Sequence, residues 1–306
     1  MKYDIDQYIA THTPFAMLRE PNSAEIHYFD KLDGFIFTPF DTANNERLQA
    51  TSREEYHESF EACHNALHDG EVNKVVLSRI KERELSESFS IERAFQKALT
   101  TYPHSMIYIY YDGVNEVWFG CTPELLLDYD RESNRGRSMA LAGTRHSGTD
   151  EKWDSKNMEE HLIVARYIAG QLSICGISGD ISEPYTTQAG GVEHLRTDIS
   201  FHLEEKQLKT IVTALHPTPA TCGFPREAAM EIIKRAEKHN RTYYSGLVGL
   251  SDQHRIALYV NLRCARIDIS ERRAYLYVGS GIMPNSTEEA EWEETELKSR
   301  TIGEML

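Results

Sequence analysis

The apolar positions along this chain change period several times, and the changes lay out its elements. In NKVVLSRIK (73–81) they alternate, with Lys74, Val76, Ser78 and Ile80 on one face and Val75, Leu77 and Arg79 on the other, which predicts a strand. Similar runs predict strands at 34–40, 198–203 and in two antiparallel meanders. The first meander takes in 105–111, 116–120, 125–129 and 138–141, and the second 243–250, 255–267 and 273–278. Helical spacing appears at 90–100, 154–172, 205–215 and 225–239, with Leu162, Ala165, Ile168 or Ala169, and Leu172 as the buried stripe of the second. Ser52, with Glu55 three residues on, predicts a capping box opening a helix to about His68, and Gly70 ends it. LHPTPATCGFP (215–225) has three prolines and predicts irregular chain, and 173–192 reads as loop or irregular strand. Helices set between two meanders predict an α+β fold, with large antiparallel sheets in a sandwich flanked by helices.

The most informative stretch is AYLYVGSGIMPNSTEEAEWEETELK (274–298). It reads as strand, glycine turn at Gly279-Ser280-Gly281, then a helix started by a Ser286/Glu289 capping box. At helical spacing Glu291, Glu294 and Lys298 share one face. Two carboxylates and an ammonium beside a glycine turn suit a hard cation and the anion it carries, although the same face also reads as a solvated acidic helix with one i,i+4 pair. Lys74, charged among apolar neighbours at a strand start, sits either at an exposed edge or against a site.

Composition narrows the options. At 306 residues the chain can bury a large core, and 40% apolar with 26% charged residues is ordinary for a globular protein. A net charge of −15 argues against nucleic acid and against an anionic membrane surface as partners. Five scattered cysteines with no CxxC disfavour zinc or a disulfide framework, and no apolar leader or spanning run is present. The expectation is a cytoplasmic protein. No P-loop or GxGxxG is found.

Eight segments, taken in order, resemble the chorismate-utilising enzymes. They are KVVLSR (74–79), FGCTPELLL (119–127), LAGTR (141–145), EEH (159–161), LHPTPATCGFP (215–225), YYSGLVGL (243–250), LRCARI (262–267) and GSGI (279–282) with EWEETELK (291–298). The family includes isochorismate synthase, salicylate synthase and the first component of anthranilate synthase. The resemblance implies one chorismate-binding catalytic domain over 1–306. Residues 71–306 carry the motifs, and 1–70 form a shortened N-terminal part, because the KVVLSR strand comes earlier here than is usual in the family.

The resemblance also implies a reaction: Mg²⁺-dependent isomerisation of chorismate to isochorismate, with water added at C2 and the C4 hydroxyl lost. Lys74 is implied as the base, acting as the neutral amine, and Glu124 as the acid, protonated in an apolar setting. Glu160, Glu291 and Glu294 are implied as Mg²⁺ ligands, with Asn157 standing where some relatives have a further Glu. Arg263 and Tyr244 are implied to hold the enolpyruvyl carboxylate, and Thr144, Lys298 and the Gly279–Gly281 backbone the ring carboxylate. His216 is implied near the C4 hydroxyl. Strand alternation puts Arg263 on the face of Ala257, Tyr259 and Asn261. Lys74 and Ala142 resemble the water-adding members rather than the anthranilate branch, and Ala220 tilts away from salicylate synthase. An inactive binding homologue is the remaining alternative. Isochorismate feeds both menaquinone and catecholate siderophores, and the chain is expected to be a monomer or homodimer.

Overall fold

The computed structural model describes residues 4–30, 32–40, 48–114, 116–148, 152–189 and 191–306. Two large antiparallel sheets face each other. The first has eight strands in the order Gly223–Phe224, Lys74–Glu84, Arg273–Ile282, Cys264–Asp268, Glu116–Thr122, Met106–Tyr111, Phe15–Arg19, His27–Phe29. The second runs Tyr185–Ala189, Val192–His202, Arg135–His146, Leu125–Asp130, Arg255–Val260, Leu247–Ser251, Phe35–Thr38, with Gly179–Ile181 pairing beside Val192–His202.

Strand alternation builds the layers. Along Glu116–Thr122, Val117, Phe119 and Cys121 join an outer core beneath the Ile91–Thr101 helix, while Trp118 turns into the core between the sheets. Tyr244, Val248, Tyr259 and Tyr277 fill that inter-sheet core. The Ser155–Ile174 and Leu208–Leu215 helices cover the far face of the second sheet, and Arg53–His68 with Arg226–Ala236 cover the Lys74 end of the first. The capping box at Ser52 and Glu55 is present.

Several predicted boundaries change, each for an identifiable reason. Neither meander stays in one sheet. The chain steps from the first sheet to the second between Thr122 and Leu125, and returns between Val260 and Cys264. The single strand expected at 255–267 is therefore two, and Arg263, at φ +49°, sits in the break rather than on the face of Ala257 and Tyr259. Gly279-Ser280-Gly281 is not a turn, because the Arg273–Ile282 strand runs straight through it. Those glycines serve close approach: a Cβ on Gly281 would lie 2.3 Å from Glu160 Oε1, and one on Gly279 would lie 2.8 Å from the Tyr244 hydroxyl.

Ser286 does not cap the last helix, Glu288–Gly303. Thr287 is its N-cap position, and Ser286 Oγ donates instead to Glu291 Oε1 at 2.6 Å. Residues 173–192 contain two short strands, and Gly223–Phe224 in the proline-rich segment pairs with Lys74 and Val75. The N-terminal part, short of pattern in sequence, supplies Phe15–Arg19 and His27–Phe29 to one sheet and Phe35–Thr38 to the other.

Candidate active site

The two sheet crossings put chemistry at one end of the sandwich. Glu124 lies in the first crossing. Its carbonyl accepts from Val260 N at 2.9 Å, and Thr122 Oγ1 donates to Val260 O at 2.5 Å, so each crossing braces the other. Arg263 lies in the second crossing, where its carbonyl accepts from Cys121 N at 3.1 Å. Lys74 enters from the second strand of the first sheet and is fully buried, which removes the exposed-edge alternative. Glu160 comes from the Ser155–Ile174 helix, which starts on an Asp154 cap.

Glu291, Glu294 and Lys298 come from the last helix. That helix is anchored on the first sheet by Arg79, whose guanidinium stacks 3.7 Å over Trp292 and donates to Thr295 Oγ1. Arg79 and Arg145 pair with Glu296 and Glu193, as structural partners do.

Glu124, Thr144, Glu160, Tyr244, Arg263, Gly279, Gly281 and Lys298 line one cavity, with Ala142, His194 and Ala220 among its other walls. Lys74 lies just behind that lining, its Nζ 2.9 Å from Glu160 Oε1. Glu291 and Glu294 stand behind it as well. His216 is not brought to the cavity: it lies edge-on to Phe40, both ring nitrogens buried without a hydrogen-bond partner. Burial, and Arg226 after it, hold its pKa down to about 4.

The cavity's free volume is about 60 Å³, too little for a cyclic dicarboxylate, so side chains must move for such a ligand to enter. A larger groove of about 1300 Å³ adjoins it across Pro123 and Leu141. There Arg137, Arg196 and Arg255 are paired with Asp128, Asp198 and Glu20. The smaller cavity carries the chemistry.

Its electrostatics are unusual. Burial raises the Glu124 pKa to about 7, although Lys74, Lys298, Thr218 and Arg263 all pull it down. Glu160 is mostly buried, and burial opposes its charge, but Lys74, Lys298 and Lys156 hold its pKa below the usual carboxylate range. Burial and the neighbouring Glu294 raise Glu291, against Lys156 and Ser286. Lys298 Nζ bonds both Glu294 at 2.7 Å and the Gly279 carbonyl at 3.0 Å.

Sequence reasoning missed two residues. His194, buried, contacts the Gly143 carbonyl through Nδ1 at 2.8 Å and the Arg263 guanidinium through Nε2 at 2.9 Å. Nδ1 must therefore be the donor and Nε2 the acceptor. Burial, then Arg263 and Lys298, lower its pKa to about 3, so it is neutral across working pH. Its only sequence signal is a histidine in a strand; its register partner, Thr144, is far off in the chain. Lys156 is the second, paired with Glu291 at 2.5 Å. Asn157, noted in sequence only as a missing carboxylate, accepts from Thr144 N at 2.8 Å and so braces the LAGTR stretch of the Arg135–His146 strand at its bulge.

Three carboxylates are candidates for a cation. Among the described residues no set of three His, Cys, Asp or Glu side chains is drawn together as metal ligands. Each carboxylate instead has its own lysine: Glu160 with Lys74, Glu291 with Lys156, Glu294 with Lys298. The donor chemistry nonetheless fits a hard divalent cation, with oxygen ligands throughout and Glu291 Oε2 buried without any partner.

A two-sheet sandwich with a buried pocket at its sheet crossings, lined by lysine, arginine and carboxylate side chains, is chemically suited to a small anionic ligand. A family model described as "Chorismate binding enzyme" matches residues 22–306, and the chain belongs to that family. Curated relatives include the vibriobactin-specific isochorismate synthase of Vibrio cholerae, 28% identical over 83% of this chain and 67% of that protein. Isochorismate synthase MenF of Escherichia coli is 31% identical over 78% of this chain and 57% of its own length. The chain thus matches about three fifths of the length of such relatives. Among solved structures, the menaquinone-specific MenF of E. coli superposes with a TM-score of 0.83 at 20% identity, covering 100% of this chain and 92% of that one. Anthranilate synthase component I of Streptococcus pneumoniae superposes with a TM-score of 0.70 at 20% identity, covering 90% of this chain and 61% of that one. Among the described residues, no helix is long and apolar enough to cross a membrane.

Proposed function

We propose that this protein is an isochorismate synthase, converting chorismate to isochorismate in the pocket at the sheet crossings. The observation that carries the reading is Glu124: a buried carboxyl with its pKa raised to about 7, in a cavity it shares with Arg263 and Lys298, with Lys74 behind the wall. Lys74 takes a proton from water as the water oxygen bonds to C2. The ring double bonds shift, and the C4–O bond breaks as Glu124 gives its proton to the departing hydroxyl, which leaves as water. Lys74 acts as base once its Glu160 partner, 2.9 Å away, is engaged elsewhere.

Arg263, steered by neutral His194, holds the enolpyruvyl carboxylate together with Tyr244. Thr144 and Lys298 meet the ring carboxylate. Glu160, Glu291 and Glu294 would hold Mg²⁺, which would supply positive charge for that carboxylate. The relatives point to both menaquinone and siderophore supply. Ala220 in the cavity wall favours release of isochorismate over elimination of pyruvate.

The test is incubation with chorismate and Mg²⁺, with an EDTA control and chromatography of the products. Isochorismate without pyruvate is expected, with Lys74→Ala slower by about 100-fold or more. Salicylate with pyruvate moves the protein to the lyase branch. No product with water or ammonia as nucleophile overturns the reading.

A further inference from the structure

Lys156 sits in the first turn of the Ser155–Ile174 helix, outside the residues assigned to the reaction. Its ammonium is 2.5 Å from Glu291 Oε1, and Glu291 is buried to 1% exposure. Burial opposes its charge, while Glu291, Glu294 and Glu160, in that order, favour it. Glu291 holds that ammonium directly, and the charges of Glu294 and Glu160 add to its field. Glu291 Oε1 is shared between Lys156 and Ser286, while its Oε2 is buried with no partner, an arrangement left incomplete by a singly charged donor.

The neighbouring lysines are more enclosed than Lys156. Lys74 is fully buried, and Lys298 is tied to the Gly279 carbonyl. Lys156 keeps 27% of its side chain exposed, so its flexible stem can swing the ammonium into solvent. An ammonium and a divalent cation a few ångströms apart in this setting repel each other.

We infer that the Lys156 ammonium is a built-in occupant of the cation site, displaced into solvent when the divalent cation binds. Metal affinity is then set by competition with the chain's own side chain. In the metal-free protein Lys156 also gives the buried Glu291 a counter-charge, as Lys298 does for the half-buried Glu294. The inference rests on the reading of Glu160, Glu291 and Glu294 as the metal carboxylates.

Titration calorimetry with Mg²⁺ alone, without chorismate, on the full chain tests both readings separately. Wild type is expected to bind weakly, Glu291→Gln not to bind, and Lys156→Met to bind about tenfold tighter, equivalent to about 1.4 kcal/mol. Thermal melting gives a second readout: in EDTA, Lys156→Met melts below wild type, and Mg²⁺ raises its Tm by more than it raises that of wild type. If wild type binds and Glu291→Gln does not, but Lys156→Met binds no tighter or melts like wild type in EDTA, the role of Lys156 is overturned and the metal site stands. If wild type shows no binding that Glu291→Gln removes, the metal reading fails and this inference with it.

Discussion

Glu124 concentrates the physics of the site in one residue. Its pKa rises from an ordinary 4.5 to about 7 because burial outweighs Lys74, Lys298 and Arg263. As an acid it must be protonated, so kcat/KM should fall as pH rises through about 7, and Glu124→Gln should remove that limb along with most of the activity. Stability moves the other way. A carboxyl with a folded pKa above its unfolded value is neutral in both states below about pH 4.5 and leaves stability unchanged there. Above about pH 7 its ionisation costs the fold about 3 kcal/mol. Denaturant melts should therefore show Glu124→Gln equal to wild type near pH 4 and more stable by up to that amount near pH 8. A gain that is the same at both pH values would contradict this account of Glu124. Sequence alone showed a carboxylate after a proline; it did not show the burial. His194 was illegible for a related reason, since its role depends on a strand register spanning 50 residues to Thr144.

At the scale of elements, the local patterns were readable and their pairings were not. The alternation of 73–81 and the cap at Ser52 carry their own signal, whereas the steps between sheets at Thr122–Leu125 and Val260–Cys264 look like ordinary strand ends. The glycines of the last strand were legible as glycines and misread as a turn, because a strand crowded by other side chains needs the same residue as a bend. Gly281→Ala separates those meanings. The new Cβ meets the mobile end of Glu160 at 2.3 Å and Lys74 Cε at 3.0 Å, so side chains can yield while the strand remains. Melting should stay within about 1 kcal/mol of wild type, while turnover falls by about 100-fold as the Lys74–Glu160 pair is displaced. Gly249→Ala is the contrast: its Cβ meets the Ala257 carbonyl at 1.9 Å, backbone against backbone, and should destabilise the fold itself.

At the scale of the whole molecule, each sheet alone carries half a site. Lys74, Gly279 and Gly281 belong to the first sheet, Thr144 and His194 to the second, and Glu124 and Arg263 to the two crossings between them. Helices from the middle and the end of the chain bring in Glu160, Glu291 and Glu294. The ordered motifs made the family legible because each marks one of these contributions. The N-terminal strands carry no such motif, and their place at the edge of each sheet emerged only from the fold. The central claim is that this assembly adds water to C2 while the C4 oxygen leaves. The direct measurement is mass spectrometry of isochorismate formed from chorismate in ¹⁸O-labelled water. One labelled oxygen per product molecule, located at C2, is the predicted result. Unlabelled isochorismate would mean that the hydroxyl migrates without solvent, and would contradict Lys74 as the base acting on water.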